Sequence, residues 1–524
     1  MMGDNAYLMK EEVEIKLSLP ASAQRAFLRH PLLQQAQRLG TKKLANVYYD
    51  TADLALHRKG IALRTRRQGR TWLQTVKCAG VSAGGLATRP EWEQPYAGRF
   101  DFGNVDDPAV RELLERHRLQ SHLTPAFETT FTRSTWRLAP ARGTAVLLML
   151  DRGRIAAGHA EEALSEIEIE LERGSPGALF DVAKVLAAGL PLRPALLSKA
   201  ERGYRLRLGT QVMPVKAAPT PLHVGQAPLE AFRAIAVACL VQFQMNELGA
   251  AAEDPEFIHQ MRVALRRLRS ALRTFRPLLP DGFEPAVVPP LRALARALGE
   301  KRDWDVLAEE IVRPACSAFS GDARLAALEA AVGRMRRQAR EAAQRALAAP
   351  EHAVFLLDLA ARLHPTGTCH KGKGWHPSSG RDADSGPFEM DLAAFAARRL
   401  NRLHRKALAL GSAAADLDPA RLHALRIGVK RLRYAIEFFV PLCRARDAQK
   451  ALAALAALQD SLGALNDLAR AGALLEQCMD DDPALREAVS LVGGWHGARY
   501  AVLRRLTLQG IRRLRKNKRF WKEK

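Results

Sequence analysis

The stretch EEVEIK, residues 11–16, decides the fold of the first part of the chain. Alternate residues of a β-strand share a face, so Glu12, Glu14 and Lys16 point to one side and the apolar residues between them to the other. Neighbouring carboxylates repel each other and lose hydration when buried, unless a cation lies between them. Because Mg²⁺ binds few carboxylates together with phosphate oxygens, the pattern is consistent with a metal–phosphate site. The same alternation also occurs on solvated strand faces, so these residues alone leave both interpretations open.

Period-two patterning continues through residues 10–200, where charged residues recur at alternate positions in segments 64–66, 73–77, 89–93 and 166–172. An ordinary antiparallel sheet exposes its charged face to water. A closed barrel can instead enclose such residues in a charged lumen. The sequence does not separate the two arrangements, but acidic and basic residues on so many strands favour the polar tunnel. Helices are predicted near residues 22–38, 107–118 and 177–188.

The charge of the chain is strongly basic, with a net value of +24 in 524 residues. The first 209 residues hold 31 Lys and Arg against 23 Asp and Glu, or +8, so the remaining +16 lies beyond them. Such an excess indicates an anionic partner: polyphosphate, nucleic acid or an acidic membrane surface. The six cysteines are scattered, which favours reduced thiols. No signal peptide or bilayer-spanning apolar run is evident, so we expect a soluble, cytoplasmic protein.

Two domains are predicted, residues 8–208 and 229–520, joined by a proline-containing linker at 209–228. The second domain contains an internal repeat, because residues 259–269 match residues 423–433 at an offset of 164. The same offset relates residues 298–303 to 462–467, and we expect residues 302–305 and 466–467 at helix ends or turns. Two motif pairs with one offset indicate a duplicated helical unit. Segment 364–387, rich in Gly, Ser, Pro and His, is predicted to be a long loop between the two copies.

Each repeat carries a stripe of basic residues at helical spacing, separate from an apolar stripe that would face the core. Like charges three and four residues apart destabilise a helix, and no carboxylate interleaves before Glu437. A solvated basic face is one interpretation, but two copies of an unneutralised stripe favour an anion-binding surface. The predicted polyphosphate-binding residues are His259, Arg262, Arg266, Arg269, His423, Arg426, Lys430 and Arg433.

The N-terminal motifs together resemble the CYTH family, the triphosphate tunnel metalloenzymes, over about 200 residues. The matching motifs are Glu12-x-Glu14-x-Lys16, Tyr48-Tyr49-Asp50-Thr51, Leu63-Arg64-Thr65-Arg66, Gln74-Thr75-Val76-Lys77, Arg89-x-Glu91-x-Glu93, Phe131-Thr132-Arg133, Leu150-Asp151, Glu166-Ile167-Glu168-Ile169-Glu170 and Ser198-Lys199 with Tyr204. The C-terminal repeat resembles the CHAD domain, a helical module linked to polyphosphate binding. The resemblance implies an α+β multidomain protein: an eight-stranded antiparallel β tunnel followed by an all-α duplicated helical bundle.

The resemblance also implies which residues act in the tunnel. The metal-side carboxylates would be Glu12, Glu14, Asp151, Glu168 and Glu170. The phosphate-side cations would be Lys16, Arg64, Arg66, Lys77, Arg133 and Lys199, which join Glu12 and Glu14 as the catalytic set. Glu166, Arg89, Glu91 and Glu93 would support or tune the site.

The implied function is hydrolysis of inorganic triphosphate to pyrophosphate and phosphate with Mg²⁺ or Mn²⁺, and binding of long-chain polyphosphate by the helical domain. Phosphoryl transfer needs mostly positioning and charge neutralisation, which agrees with a tunnel of this composition. Alternatives are a CYTH enzyme acting on thiamine triphosphate or nucleoside triphosphates, including an adenylate cyclase, and a non-catalytic polyphosphate-binding or granule-targeting protein. Nucleic acid is the less favoured partner, because the arginine stripes lack interleaved aromatic residues.

Overall fold

The computed structural model describes residues 11–252, 254–364, 390–516 and 519–521, so most of the predicted loop 364–387 lies outside the described residues. The chain divides into two compact units. The first is Met1–Met213 with Ala348–Gly372, and the second is Pro214–Leu347 with Lys373–Lys524.

The first unit is built on ten strands. They are β1 (Glu11–Ser18), β2 (Gln37–Asp50), β3 (Ile61–Gln68), β4 (Thr71–Cys78), β5 (Val81–Ala83), β6 (Leu86–Pro95), β7 (Thr124–Leu138), β8 (Ala145–Ala157), β9 (Ala160–Arg173) and β10 (Arg193–Pro194). Eight of them pair antiparallel in the order β1-β9-β8-β7-β2-β3-β4-β6, and β1 pairs with β6 to close the ring. The short strands β5 and β10 add to β6 and β1.

The helices are α1 (Gln24–Leu28), α2 (Pro31–Gln34), α3 (Ala55–Arg58), α4 (Pro108–Glu115), α5 (His117–Gln120), α6 (Gly177–Gly189), α7 (Lys199–Leu208), α8 (Pro228–Glu247), α9 (Pro255–Phe275), α10 (Phe283–Val306), α11 (Arg313–Ala318), α12 (Ala323–Ala348), α13 (Pro350–Leu363), α14 (Leu392–Ala413), α15 (Pro419–Phe439), α16 (Ala445–Asp481) and α17 (Arg486–Lys516). The predicted eight-stranded antiparallel tunnel and all-α second domain are therefore confirmed. No helix in the described ranges is long and apolar enough to span a bilayer.

Two local predictions differ from the structure. The helix predicted over 22–38 is two short helices, α1 and α2, and strand β2 already begins at Gln37. Asp467 lies inside the long helix α16, whereas Asp303 lies three residues before the end of α10, which a π-helix at Leu307–Val312 follows. Pro31 separates α1 from α2, because a proline disfavours continuation of the preceding helix.

The outer face of the barrel is apolar and covered. Ile15 and Leu17 of β1 and Ile167 and Ile169 of β9 are fully buried. Helix α6 contacts both strands. The alternation of β1 and β9 thus leaves their charged residues on the inner face.

Helix α13 belongs to the first unit, although it follows α12 in the chain. It packs against α6 and contacts β10. Phe355, Leu356 and Leu357 are buried, and a side chain at Gly84 would collide with Ala360.

The second unit repeats its helices at the offset found in the sequence. Helices α9 and α15 begin at residues 255 and 419 and end at 275 and 439, a shift of 164 at both ends. Helices α8 and α14 begin 164 residues apart, at Pro228 and Leu392. Each of α9 and α15 is capped by an aspartate, Asp254 or Asp418, as expected for helix N-termini.

Candidate functional site

A cavity of about 1190 Å³ lies inside the barrel of the first unit. All but one of the predicted catalytic and metal residues line it. They are Glu12, Glu14, Lys16, Arg64, Arg66, Lys77, Arg133, Glu168, Glu170 and Lys199. The exception is Asp151, which is fully buried behind the lining side chains.

Strand β1 supplies the first group. The side chains of Glu14 and Lys16 pair with each other, and Lys16 Nζ lies 3.7 Å from Glu168 Oε1. Glu12 Oε2 accepts a hydrogen bond of 2.7 Å from Lys77 Nζ, which also pairs with Glu91 at 2.7 Å. Burial lowers the pKa of Lys77, but Glu12 and Glu91 outweigh it and raise that pKa.

Lys199 is surrounded by three carboxylates. It is the first residue of α7, whose start is fixed by a capping box of Ser198 and Glu201. Its Nζ lies 2.7 Å from Asp151 Oδ2 and 2.9 Å from Glu168 Oε1, and it contacts Glu166. Burial opposes the charge of Lys199, but the three carboxylates outweigh it and raise the pKa of Lys199.

Arg133 completes this network from strand β7. Its Nε and Nη2 donate to the two oxygens of Asp151 at 2.8 and 2.6 Å, and Nη2 also contacts Glu168. Burial would raise the pKa of Glu168, but Lys199, Arg133 and Lys16 hold it well below its usual range. Asp151 therefore orients two cations and does not face the cavity.

Arg64 and Arg66 lie on β3, across the barrel. Arg64 donates to Tyr48 Oη at 3.4 Å and lies 3.5 Å from Glu91. Arg66 Nε donates to Asn46 Oδ1 at 2.9 Å. Burial and the neighbouring arginines lower the pKa of Arg66 to about 10. The Nε atoms of Arg64 and Arg89 are buried without a hydrogen-bond partner among the described residues.

Carboxylates outnumber cations around the cavity. There are eleven carboxylates: Glu12, Glu14, Glu91, Glu93, Asp101, Asp106, Asp151, Glu166, Glu168, Glu170 and Glu201. There are nine cations: Lys16, Arg64, Arg66, Lys77, Arg89, Arg111, Arg133, Lys199 and Arg202. A multivalent anion entering this cavity would therefore lack compensating charge unless a cation entered with it.

Two groups of carboxylates have the oxygen donors that a hard divalent cation prefers. Glu14 and Glu170 stand directly opposite each other on β1 and β9, an arrangement that is destabilising without a cation. Asp151, Glu166 and Glu168 also lie close enough to share an ion, with donor atoms within 4.8 Å of one another. Both groups already pair with cationic side chains, the second with Lys199 and Arg133, and Glu14 of the first with Lys16.

Sequence reasoning assigned no role to two residues around this cavity. Tyr48 lines it and stacks on Phe127 at 4.4 Å between ring centroids. Arg202 donates to Glu166 at 3.1 Å and to Glu162 at 2.7 Å, and thereby holds the carboxylate that contacts Lys199. Tyr48 belongs to a matched motif and Arg202 lies between Lys199 and Tyr204 of another, but their contacts depend on strands and helices far apart in the chain.

In the second unit, a cavity of about 730 Å³ brings together five of the eight predicted anion-binding residues. They are His259, Arg266, Arg426, Lys430 and Arg433. Arg499 of α17 also lines it and was not predicted, because it lies outside the repeated motif. Arg262, Arg269 and His423 are not among the lining residues.

Part of each basic stripe has partners, either within its own helix or on a neighbouring one. Arg433 pairs with Glu437 at 2.9 Å, Arg262 lies 3.9 Å from Asp303, and His423 contacts Asn466 at 3.2 Å. Fewer residues of the basic stripes are without a partner, among the described residues, than the sequence of each helix predicts.

The remaining cations of this cavity are crowded. Burial and neighbouring arginines lower the pKa of Lys430 to about 7 and that of His259 to about 4. The Nε atoms of Arg266 and Arg426 are buried without a hydrogen-bond partner among the described residues. An anion would satisfy these donors and offset the repulsion.

Comparison with known proteins identifies one domain in each half of the chain. The CYTH domain model matches residues 10–204, and the CHAD domain model matches residues 234–476. An inorganic triphosphatase of Haemophilus influenzae is 32% identical over 203 residues. That match covers 38% of this chain and 56% of the relative, so the chain spans little more than half the relative's length.

A solved structure is similar to the helical part. The crystal structure of the CHAD domain from the plant Ricinus communis is 34% identical, with a TM-score of 0.50. The match covers 59% of this chain and 98% of the plant domain. The chain therefore belongs to the CHAD family and carries a CYTH domain ahead of its CHAD domain.

Proposed function

We propose that this protein is a metal-dependent inorganic triphosphatase that hydrolyses tripolyphosphate to pyrophosphate and phosphate. The observation that carries the proposal is the closed barrel, which brings opposed carboxylates and cations together around one cavity. The similarity to the triphosphatase of Haemophilus influenzae over the CYTH region supports it. A cytoplasmic location stays a prediction.

Charge balance supports metal dependence. Tripolyphosphate brings about four to five negative charges into a site whose carboxylates already outnumber its cations, and a divalent cation would offset them. Glu12, Glu14, Glu168 and Glu170 would hold such a cation, and Mg²⁺ or Mn²⁺ suits this all-carboxylate set. When bound, it would neutralise phosphate oxygens and lower the pKa of a water molecule. The contacts of Asp151 support a positioning role instead.

The cationic side chains would bind and orient the substrate. Arg64 and Arg66 carry planar donors that suit phosphate oxygens, and the unpartnered Nε of Arg64 is already buried at the site. Lys16 and Lys77 are fixed by carboxylates on either side. Holding the chain in line for attack, and neutralising the leaving pyrophosphate, are the main tasks of a phosphoryl-transfer site.

The helical unit would bind long-chain polyphosphate at the cavity of His259, Arg266, Arg426 and Lys430. The unpartnered guanidinium nitrogens and the mutually lowered pKa values there support this assignment. Of the predicted set, Arg262 and His423 would act at its edge.

Phosphate release from tripolyphosphate with Mg²⁺, Mn²⁺ or Ca²⁺ tests the proposal, with thiamine triphosphate and ATP as alternative substrates. We expect turnover of tripolyphosphate that EDTA abolishes and that Glu12→Gln lowers strongly. Glu112→Gln is the matched control, because Glu112 is an exposed residue of the same unit. A folded protein that turns over none of these substrates with any of the three metals would contradict the proposal.

A further inference from the structure

The two copies of the helical repeat differ at one salt bridge. Glu437 of α15 accepts hydrogen bonds from Arg433 at 2.9 Å and from Arg267 of α9 at 2.8 Å. This carboxylate thus joins the two copies by neutralising one arginine from each. Residue 273, the counterpart of Glu437 at the offset of 164, is an arginine.

The counterpart of that salt bridge is consequently a group of like charges. At the offset of 164, Arg431 corresponds to Arg267 and Arg269 corresponds to Arg433. Arg273 corresponds to Glu437, so all three members are arginines. Burial and the charges of Arg273 and Arg269 lower the pKa of Arg431. Burial, Arg273 and Arg292 lower the pKa of Arg269 in the same way. Arg269 and Arg273 are also four residues apart on α9, a spacing at which like charges repel.

Two more arginines extend the group. Arg292 of α10 acts on both Arg269 and Arg273, and Arg399 of α14 donates to the backbone oxygen of Arg273 at 2.9 Å. Their counterparts in the other copy are Ala456 and Ile235. The group therefore contains five arginines. Their counterparts at the offset of 164 are two arginines, one glutamate and two uncharged residues.

Nothing in the described residues neutralises this group. None of the five guanidinium groups makes an ion pair to a carboxylate in the described part of the chain. The Nε atoms of Arg399 and Arg431 are buried without a hydrogen-bond partner there. Glu284 raises the pKa of Arg273, but its carboxylate already pairs with Arg276 at 3.0 Å. Arg269, Arg399 and Arg431 are partly buried, and crowded cations in such positions are costly unless an anion binds them.

We propose that the arginine cluster, Arg269, Arg273, Arg292, Arg399 and Arg431, is a second phosphate-binding site of the helical unit. None of the five lines the cavity of His259 and Lys430. Guanidinium groups suit phosphate because their planar donors bind two oxygens at once. The choice of phosphate over other oxyanions rests on the proposed function. The phosphate could come from a polyphosphate chain or from free pyrophosphate.

Arg273→Glu tests the site, because it restores the salt bridge of the other copy while removing the anion site. We expect a melting temperature a few degrees above wild type at low salt, because Arg431 gains the partner that Arg267 has. We also expect affinity for long-chain polyphosphate to fall at least tenfold. Titrations use the full chain with EDTA present, so that no hydrolysis occurs. Arg512→Glu, an equal charge change at an exposed position of α17, is the control.

The outcomes are distinct. Loss of pyrophosphate binding as well would identify a site for free phosphates, and loss confined to the long chain would identify a subsite of the polymer. Equal affinity for both anions in Arg273→Glu and Arg512→Glu, or no binding by wild type, would overturn the proposal. If Arg273→Glu does not fold, the neutral double variant Arg269→Gln with Arg431→Gln carries the same expectation. Absent turnover of tripolyphosphate would refute only the proposed hydrolysis.

Discussion

Lys199→Met removes the ammonium group from the centre of the carboxylate network and leaves a side chain of similar length. Asp151 and Glu166 are essentially inaccessible to solvent, with side-chain exposures of 0% and 2%. Each keeps one cation, Arg133 or Arg202, but loses its contact with Lys199. We expect the variant to fold with a markedly lower stability at neutral pH.

The magnitude follows from the cost of breaking a buried ion pair, about 3–5 kcal/mol. For a unit of roughly 200 residues, about 1 kcal/mol shifts the melting temperature by about 2–4 °C, so we expect a drop of roughly 6–20 °C. Lys184→Met is the matched control. Lys184 is more exposed and pairs with Asp181 at 3.2 Å, so its loss should cost at most about 1 kcal/mol.

The pH dependence separates electrostatics from packing. The pKa of Glu168 is lowered in the folded protein, so its contribution is present above its usual value of 4.5 and is lost as pH falls. The pKa of Lys199 is raised above 10.5, so Lys199 stays charged throughout this range. The difference in free energy of unfolding between wild type and Lys199→Met should therefore be largest near pH 7. It should become smaller below about pH 4.5.

Thermal unfolding followed by circular dichroism, from about pH 4 to pH 7, checks this expectation. Mg²⁺ should stabilise Lys199→Met more than wild type, because three carboxylates lose their shared cation. A loss below about 1 kcal/mol at pH 7, or a loss that does not change with pH, would refute the ion-network reasoning.

Three further predictions concern the cavities of the two units. Glu14→Gln should lower Mg²⁺-dependent phosphate release from tripolyphosphate roughly a hundredfold, with an unchanged circular dichroism spectrum. Arg202→Gln should lower kcat more than it raises KM, because Glu166 would orient Lys199 less well, and Arg202→Lys should recover part of the loss. Since the pKa of Lys430 is about 7, polyphosphate affinity should fall between about pH 6 and pH 8, and Lys430→Gln should flatten that titration. A steep pH dependence in Lys430→Gln would contradict the last of these.

The strands of the barrel were predictable because strand geometry is local. Alternation at Glu12, Glu14 and Lys16 places these side chains on one face whatever the rest of the chain does. The alternation left open whether that face is solvated or enclosed, and the resemblance of the motifs supplied the closed tunnel of eight strands. The helical repeat was likewise visible, because an offset of 164 residues leaves a direct mark on the sequence.

The partners of individual charges were not predictable. The sequence shows that Arg262 and Arg266 share a helical stripe, but not that Asp303 of α10 approaches only the first of them. The position of Arg499 at the cavity of the second unit and the burial of Asp151 depend on how distant elements pack. Such contacts join residues with no shared periodicity, so no local pattern reports them.

The placement of α13 bears on how the protein is made. Residues 350–363 complete a unit whose barrel is finished near residue 208, so the ribosome must synthesise about 140 intervening residues before that helix emerges. Until then the apolar surface of α6 that α13 covers is open to water or to chaperones. A protein truncated within the linker at 209–228 would lack this helix. We expect the truncated tunnel domain to aggregate more readily alone than when residues 350–363 are added as a separate peptide.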